Sequence, residues 1–246
     1  MKEKLLLIDI GNSRIKYSVC NSDAGSIDKF IIFAINDSRT DTIKKLNQLI
    51  SKHYNYKILI SNVIKDLNLN KIRYDFLVDE KCELPFLLKY EGTFGSDRKC
   101  SLSGAMNFSN EKNILLVDFG SATTYNFISN KKFIGGMIST GLMLSLNSLI
   151  SGTSLNLKNK KFNNGFLAND TKTNILNGIY NQQLFTFYKT IDELKTKYRK
   201  IKIFITGGNA KLISPFINKK YKFEIREDLV MQGLKLLYLM KNENHN

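Results

Sequence analysis

The sequence predicts an α/β fold built from two similar units, and three observations carry that expectation. An apolar run, Ile114-Leu115-Leu116-Val117, ends in Asp118-Phe119-Gly120-Ser121-Ala122-Thr123-Thr124. A matching phrase opens the chain, where Leu5-Leu6-Leu7-Ile8 leads into Asp9-Ile10-Gly11-Asn12-Ser13. The order of strand and helix signals after the first phrase then recurs after the second. Uncharged apolar runs of this kind fit central strands covered on both faces. The carboxylate at each strand end can be aimed into a cleft, and the glycine lets the chain reverse while keeping backbone N–H groups clear to face an anion. A single Asp-x-Gly reads as an ordinary turn after a strand. Two copies with matched strands read as paired phosphate turns, with carboxylates ready for the accompanying metal.

The elements follow in order. Lys4 to Ile10 and Arg14 to Cys20 form a predicted hairpin across Gly11-Asn12-Ser13, and Lys29 to Ile35 adds a third strand. Thr42, Ile43, Leu46, Leu49 and Ile50 recur at helical spacing behind a capping region at Asp37-Ser38, and Tyr56 to Ile60 is a short strand. Signals from Leu67 to Leu88 alternate between strand and short helix. A glycine-rich loop, Lys89 to Arg98, precedes a helix from about Arg98 to Phe108 whose Ser101, Ser103, Gly104 and Ala105 permit close packing. Polar residues Asn107 to Asn113 mark the expected boundary between a unit of residues 1–110 and one of residues 111–246. The second unit repeats the meander in Asn113–Phe119, Thr123–Ser129 and Lys132–Ile138, followed by a helix from about Gly141 to Ile150. A polar loop at Lys158–Asn164 leads to a long helix from about Thr173 to Tyr198, opened by Asn169-Asp170-Thr171. Then come a strand at Lys202–Thr206, a helix from Gly207-Gly208-Asn209-Ala210, a strand at Phe223–Arg226 and a last helix at Leu229–Met240. No Pro- or Ser-rich linker separates the halves, so they are expected to pack around a shared cleft.

Composition narrows the chemistry. The chain has 246 residues and is 43% hydrophobic, enough for a sizeable core, and no stretch approaches a membrane span. Lys2, Lys4 and the following leucines imitate a signal peptide, but Asp9 and Gly11 end the apolar run early and no small-residue cleavage site follows. A cytoplasmic protein is expected. Cys20, Cys82 and Cys100 are odd in number and widely spaced, which argues against a disulfide scaffold or structural zinc. The only histidines are His53 and His245, so zinc hydrolases and His-dependent triads lose their imidazole. Carboxylates are left to run the chemistry. The net charge of +15 comes from lysines spread along the whole chain rather than gathered in a patch, so nucleic acid is not the expected main partner.

Four groups of residues carry the candidate site. Asp9 and Asp118 suit a reaction in which the protein positions a nucleotide and neutralises its charge through metal ions. Lys16, on the returning strand, either reaches the transferring phosphate or is a solvated strand lysine. Asp97-Arg98 sets a proton acceptor beside a cation for an anionic substrate, or is a helix-capping Asp with an exposed Arg. Gly135-Gly136 and Gly207-Gly208 are expected to allow close backbone approach at strand-to-helix corners, the latter against a base or ribose.

Taken together and in this order, the motifs resemble those of the type III pantothenate kinases, a branch of the acetate kinase, sugar kinase, Hsp70 and actin superfamily. Asp9-Ile10-Gly11-Asn12-Ser13-Arg14-Ile15-Lys16 looks like the family's first phosphate motif, and Gly95-Ser96-Asp97-Arg98 like its Gly-x-Asp-Arg signature. Asp118 to Thr124 is similar to the second phosphate motif, Gly135 to Gly141 to a Gly-Gly-x-Ile-x-Pro-Gly segment, and Thr206-Gly207-Gly208 to the adenosine motif. The resemblance implies duplicated actin-like (ribonuclease H-like) domains, each a mixed sheet flanked by helices. It implies ATP-dependent phosphorylation of pantothenate to 4′-phosphopantothenate, the first step towards coenzyme A. Asp97 would then be the catalytic proton acceptor, and Asp118 the ligand of a monovalent cation, potassium or ammonium. Asp9 would serve the nucleotide phosphates and magnesium. ATP would be held by Asp9, Gly11, Asn12, Ser13, Lys16, Gly120, Ser121, Gly207 and Gly208. Tyr90, Gly95, Ser96, Asp97, Arg98 and Thr171 would contact pantothenate, and a homodimer would place the substrate pocket at the subunit interface.

The chain departs from the family pattern in three ways. Ser13 and Ser121 replace threonines and keep the hydroxyl. Gly92-Thr93 stands where a loop proline is usual, and Thr140 replaces the proline of the Gly-Gly segment, which loosens both loops. A related phosphoanhydride phosphatase would use the same two turns without needing the Gly-x-Asp-Arg loop. A non-catalytic nucleotide-binding regulator of the same fold is the other alternative.

Overall fold

The computed structural model describes residues 2–23, 27, 31–34, 38–153, 162 and 164–243. The chain divides into two compact units, residues 1–110 with 228–246, and residues 111–227. The last helix was expected with the second half and instead belongs to the first unit.

In the first unit, β1 (Lys4–Ile10), β2 (Arg14–Asn21) and β3 (Ile31–Ala34) form the predicted meander, followed by α1 (Arg39–Lys52), β4 (Lys57–Asn62) and β5 (Phe76–Leu77). The sheet order is β3-β2-β1-β4-β5, with β1 antiparallel to β2 and parallel to β4. β1 is central, and it buries side chains on both faces as its unbroken apolar run requires. Leu6, Ile8 and Ile10 pack with Ile43, Leu46, Leu49 and Ile50 of α1, while Leu5 and Leu7 join the opposite cluster. Ser38 caps α1, its hydroxyl accepting from the Asp41 N–H at 3.2 Å; Asp37 lies outside the described residues, as do parts of the Lys29–Ile35 segment. His53 ends α1, its Nδ1 within 2.9 Å of the Leu49 carbonyl, and so is engaged locally.

α2 (Ser96–Asn107) and α6 (Leu229–Glu243) cross closely in this unit. Their contact requires glycine. A Cβ on Gly104 would run into the Leu229 carbonyl, and one on Gly233 into the backbone of Cys100. α6 then sends Val230, Met231, Leu234 and Leu237 into the cluster that holds Leu5, Leu7 and Leu59.

The second unit repeats the plan. β6 (Asn113–Phe119), β7 (Ala122–Ser129) and β8 (Lys132–Thr140) form a meander, followed by α3 (Leu142–Ser151) and α4 (Thr171–Lys197). Next come β9 (Ile201–Thr206), the short α5 (Ala210–Ile213) and β10 (Glu224–Ile225). The sheet order β10-β9-β6-β7-β8 mirrors that of the first unit strand for strand. α4 begins at Thr171 because Asp170 caps it, accepting from the Thr173 N–H at 2.9 Å. Most of the expected Lys158–Asn164 loop lies outside the described residues. Gly135 and Gly136 are not at a strand-to-helix corner: they lie within β8, opposite Phe127 and Asn126, next to a register shift between Phe127 and Ile128. The corner glycine is Gly141, whose N–H donates to Ser121 O at 2.9 Å and whose missing Cβ leaves room for the Gly120 and Ser121 carbonyls. Among the described residues, no helix is long and apolar enough to cross a membrane.

Candidate active site

Each unit carries one half of a repeated arrangement, in which the carboxylate at the end of the central strand is flanked by groups from the two neighbouring strands. In the first unit, Asp9 faces Lys16 across the antiparallel β1–β2 pair and Ser61 across the parallel β1–β4 pair. Directly opposed residues place their side chains on one face at ~5 Å between Cβ atoms. Asp9 is 6% exposed, and its Oδ1 is buried with no hydrogen-bond partner among the described residues. Burial pushes its carboxyl up to about 6 against the opposing charge of Lys16, while nearby Asp97 adds to the rise and a hydrogen bond from Ser61 reduces it.

The Gly95-Ser96-Asp97-Arg98 motif opens α2, with Gly95 at the cap position. Asp97 Oδ1 accepts the Arg98 backbone N–H at 2.7 Å, so the carboxylate sits on the helix N-terminus where the dipole favours its charge. Burial raises the Asp97 carboxyl above its ordinary value, opposed by Arg98 and Lys16. Ser96 ties the motif to β4: its hydroxyl donates to Asn62 O at 2.9 Å and lies 3.1 Å from the Ser61 hydroxyl. Ser61 therefore connects Asp9 to the Gly-x-Asp-Arg turn. Arg98, 8% exposed, stacks over Phe94 and approaches Tyr90, with Cζ 3.9 and 5.4 Å from the two ring centres. The first unit thus brings together Asp9, Lys16, Tyr90, Ser96, Asp97 and Arg98.

In the second unit, Asp118 is flanked by Thr124 on β7 and Thr206 on β9. Gly207 has φ +96° and lies so close that a Cβ there would strike Asp118 Oδ1 and the Phe119 backbone. Both the conformation and the space exclude any other residue. Asn209 joins the adenosine-like turn to the phosphate-like turn: its N–H donates to Phe119 O at 2.8 Å and its Nδ2 to Gly120 O at 3.0 Å. Gln183 on α4 is 4% exposed, accepts from Thr123 Oγ1 at 2.9 Å and donates to Thr140 O at 3.1 Å, holding the start of β7 to the end of β8. Thr171 stands exposed in the first turn of α4.

The turns depart from expectation in one respect. The Gly11 N–H donates to Arg14 O at 3.0 Å and the Gly120 N–H to Ala122 O at 3.1 Å. Both glycines close their hairpins, and the exposed tips at Asn12, Ser13 and Ser121 are what each turn presents outward. Ser61, Phe94, Gln183 and Asn209 were missed in the sequence. Each works through a partner distant in the chain or through ring geometry; Asn209, beside Gly207-Gly208, and Phe94, beside Gly95, stood next to recognised signals.

Two halves of equal topology, each with a carboxylate on its central strand before a glycine turn, define a duplicated actin-like fold. A component of (R)-2-hydroxyglutaryl-CoA dehydratase from Acidaminococcus fermentans shares this fold at TM-score 0.57 and 11% identity, over 98% of this chain and 99% of that one. A Campylobacter jejuni structure, described provisionally as a Baf family transcriptional activator, matches at TM-score 0.66 and 23% identity, over 98% of this chain and all of that one. The sequence profile of the type III pantothenate kinases matches residues 5–193, and the chain belongs to that family. A type III pantothenate kinase of Fusobacterium nucleatum is 31% identical over 94% of this chain and 97% of its own length.

Proposed function

We infer that the protein phosphorylates pantothenate to 4′-phosphopantothenate at the expense of ATP, in the cytoplasm. The observation that supports this reading most is Asp97, a carboxylate held on a helix N-terminus by the Arg98 N–H at 2.7 Å, beside a stacked Arg98 and in the field of Lys16 and Asp9. Asp97 accepts the proton of the primary hydroxyl as its oxygen attacks the γ-phosphorus of ATP and the bond to the β-phosphate oxygen breaks. Burial makes it a better base than an exposed carboxylate, and a loose transition state asks mainly that the hydroxyl be held in line. Lys16 offsets charge on the transferring group, and Arg98 holds the anionic end of pantothenate. The ATP phosphates are contacted from Asn12, Ser13 and Ser121, with Gly11 and Gly120 shaping those turns and Gly207-Gly208 accommodating the nucleoside. Tyr90, Gly95, Ser96 and Thr171 complete the substrate contacts.

The residues fit a magnesium ion taken up with the nucleotide. Asp9 has an unpartnered buried oxygen, while among the described residues no three His, Cys, Asp or Glu gather to hold a metal alone. Magnesium, when bound, supplies charge neutralisation at the phosphates. Asp118 between Thr124 and Thr206 is an all-oxygen donor set suited to a hard monovalent cation. Homodimerisation is supported by an exposed apolar face in the second unit, where the exposed side chains of Ile134, Met137 and Phe185 line a cavity of about 600 Å³.

The test is ADP release from magnesium-ATP, with and without pantothenate, in potassium and in sodium. Release that needs both pantothenate and potassium is expected. Release indifferent to pantothenate would instead make the protein a phosphatase, and ATP binding without release a regulator. Sedimentation reads the dimer.

A further inference from the structure

We propose that Phe94 is a positioning residue that fixes the plane of the Arg98 guanidinium, and so sets how tightly pantothenate is held. This rests on the reading of Arg98 as the residue that meets the anionic end of the substrate. Phe94 precedes the Gly-x-Asp-Arg turn and is buried, 7% exposed, whereas Tyr90 is 43% exposed. Arg98 Cζ lies 3.9 Å above the Phe94 ring centre, and Phe94 and Tyr90 meet edge to face with centres 5.0 Å apart at 86°.

A guanidinium stacked flat on a ring keeps its N–H fork in the plane parallel to that ring, pointing sideways rather than at the aromatic surface. The fork is then presented for two parallel hydrogen bonds to a carboxylate, a geometry that an unanchored Arg reaches only by giving up side-chain entropy. An aliphatic residue at position 94 fills space but offers no quadrupole to hold the cation. The anchor matters more here because Gly92, two residues earlier, has φ +80° and open space where a Cβ would be, so no side chain at that position packs the loop. The buried ring takes the place of loop rigidity, and Tyr90 is aligned by the same ring.

The experiment is steady-state kinetics on Phe94→Leu, Arg98→Lys and the double variant, with melting temperature as the folding control. Phe94→Leu is expected to raise the pantothenate KM about tenfold, ~1.4 kcal/mol, while kcat and the ATP KM stay within about twofold. The double variant is expected to be no worse than Arg98→Lys, because Phe94 acts through Arg98. An unchanged pantothenate KM in an active Phe94→Leu variant, or fully additive effects, would overturn the proposal. NMR of the Arg side chains gives a readout that does not need turnover. The Arg98 guanidinium protons are expected upfield in the wild type through the ring current, and back at ordinary shifts in Phe94→Leu. Ordinary shifts in the wild type would sink the stack. Absence of pantothenate-dependent turnover with the upfield shifts intact would reject the proposed reaction and leave the Phe94–Arg98 anchor standing.

Discussion

Replacing Asp9 by Asn should make the ligand-free protein more stable while abolishing its turnover. Burial holds the Asp9 carboxyl at about 6, against 3.8 for a free aspartate. A displacement of about two units corresponds to ~3 kcal/mol of folding free energy. The direction follows from proton counts. Between pH 4 and 6 the folded state keeps a proton that the unfolded state has released, so stability falls as pH rises through this window and stays lower above it. An asparagine at this position carries no charge at any pH and escapes the penalty, and Ser61 remains within reach of its amide. The assay is urea unfolding of wild type and Asp9→Asn without nucleotide, at pH 4.5 and pH 8. The variant is expected to lead by roughly 2–3 kcal/mol at pH 8 and to lose most of that lead at pH 4.5. A variant equal to or weaker than wild type at pH 8, or a gap of the same size at both pH values, would refute the reasoning. If Asp9 acts ionised in the proposed reaction, kcat/KM is expected to decline as pH drops through about 6, and a pH–rate profile that stays flat from about pH 5 to 7 would contradict that role.

Asp97→Asn is expected to lower kcat by about 10²–10⁴-fold and to leave ATP affinity nearly intact; an unchanged kcat removes Asp97 from the role of base. Asn209→Ala deletes the 3.0 Å bond to Gly120 O and should cost ~1–2 kcal/mol by thermal unfolding. Its ATP KM should rise several-fold while kcat is kept, and an ATP KM equal to wild type would separate Asn209 from the nucleotide site. Gly233→Ala would thrust a methyl into the Cys100 backbone and destabilise the protein by ~1–3 kcal/mol. A variant that melts with wild type would show that α2 and α6 do not approach so closely.

The central strands were legible because a strand covered on both faces leaves an unbroken apolar run, and each such run here ended in Asp-x-Gly. The β1–β2 hairpin followed from the short Gly11-Asn12-Ser13 turn, and the small residues Ser101, Ser103, Gly104 and Ala105 marked a helix able to pack closely. What stayed hidden depends on register between segments far apart in the chain. Ser61 sits in an apolar strand and becomes meaningful only because β4 pairs in parallel with β1 and sets it beside Asp9. Gln183, one polar residue in a long helix, gains its role from contacts with Thr123 and Thr140. Gly135-Gly136 misled because a glycine pair marks a corner or a bulged strand equally well, and the choice was made by pairing with β7. The allocation of the last helix could not be read locally, since its apolar face would suit either half.

The return of α6 to the first unit gives the chain an order of assembly. Residues 111–227 form a continuous stretch, whereas the first unit is split around it. A ribosome therefore completes every strand and helix of the second unit before it makes the helix that closes the α2 face and covers Leu5, Leu7 and Leu59. Until then the first half must wait with glycines and leucines open to water, which is the state most exposed to misassociation and to proteolysis. A fragment of residues 111–227 has all of its own elements, while residues 1–110 lack a wall. Supplying α6 as a separate peptide would be a form of complementation.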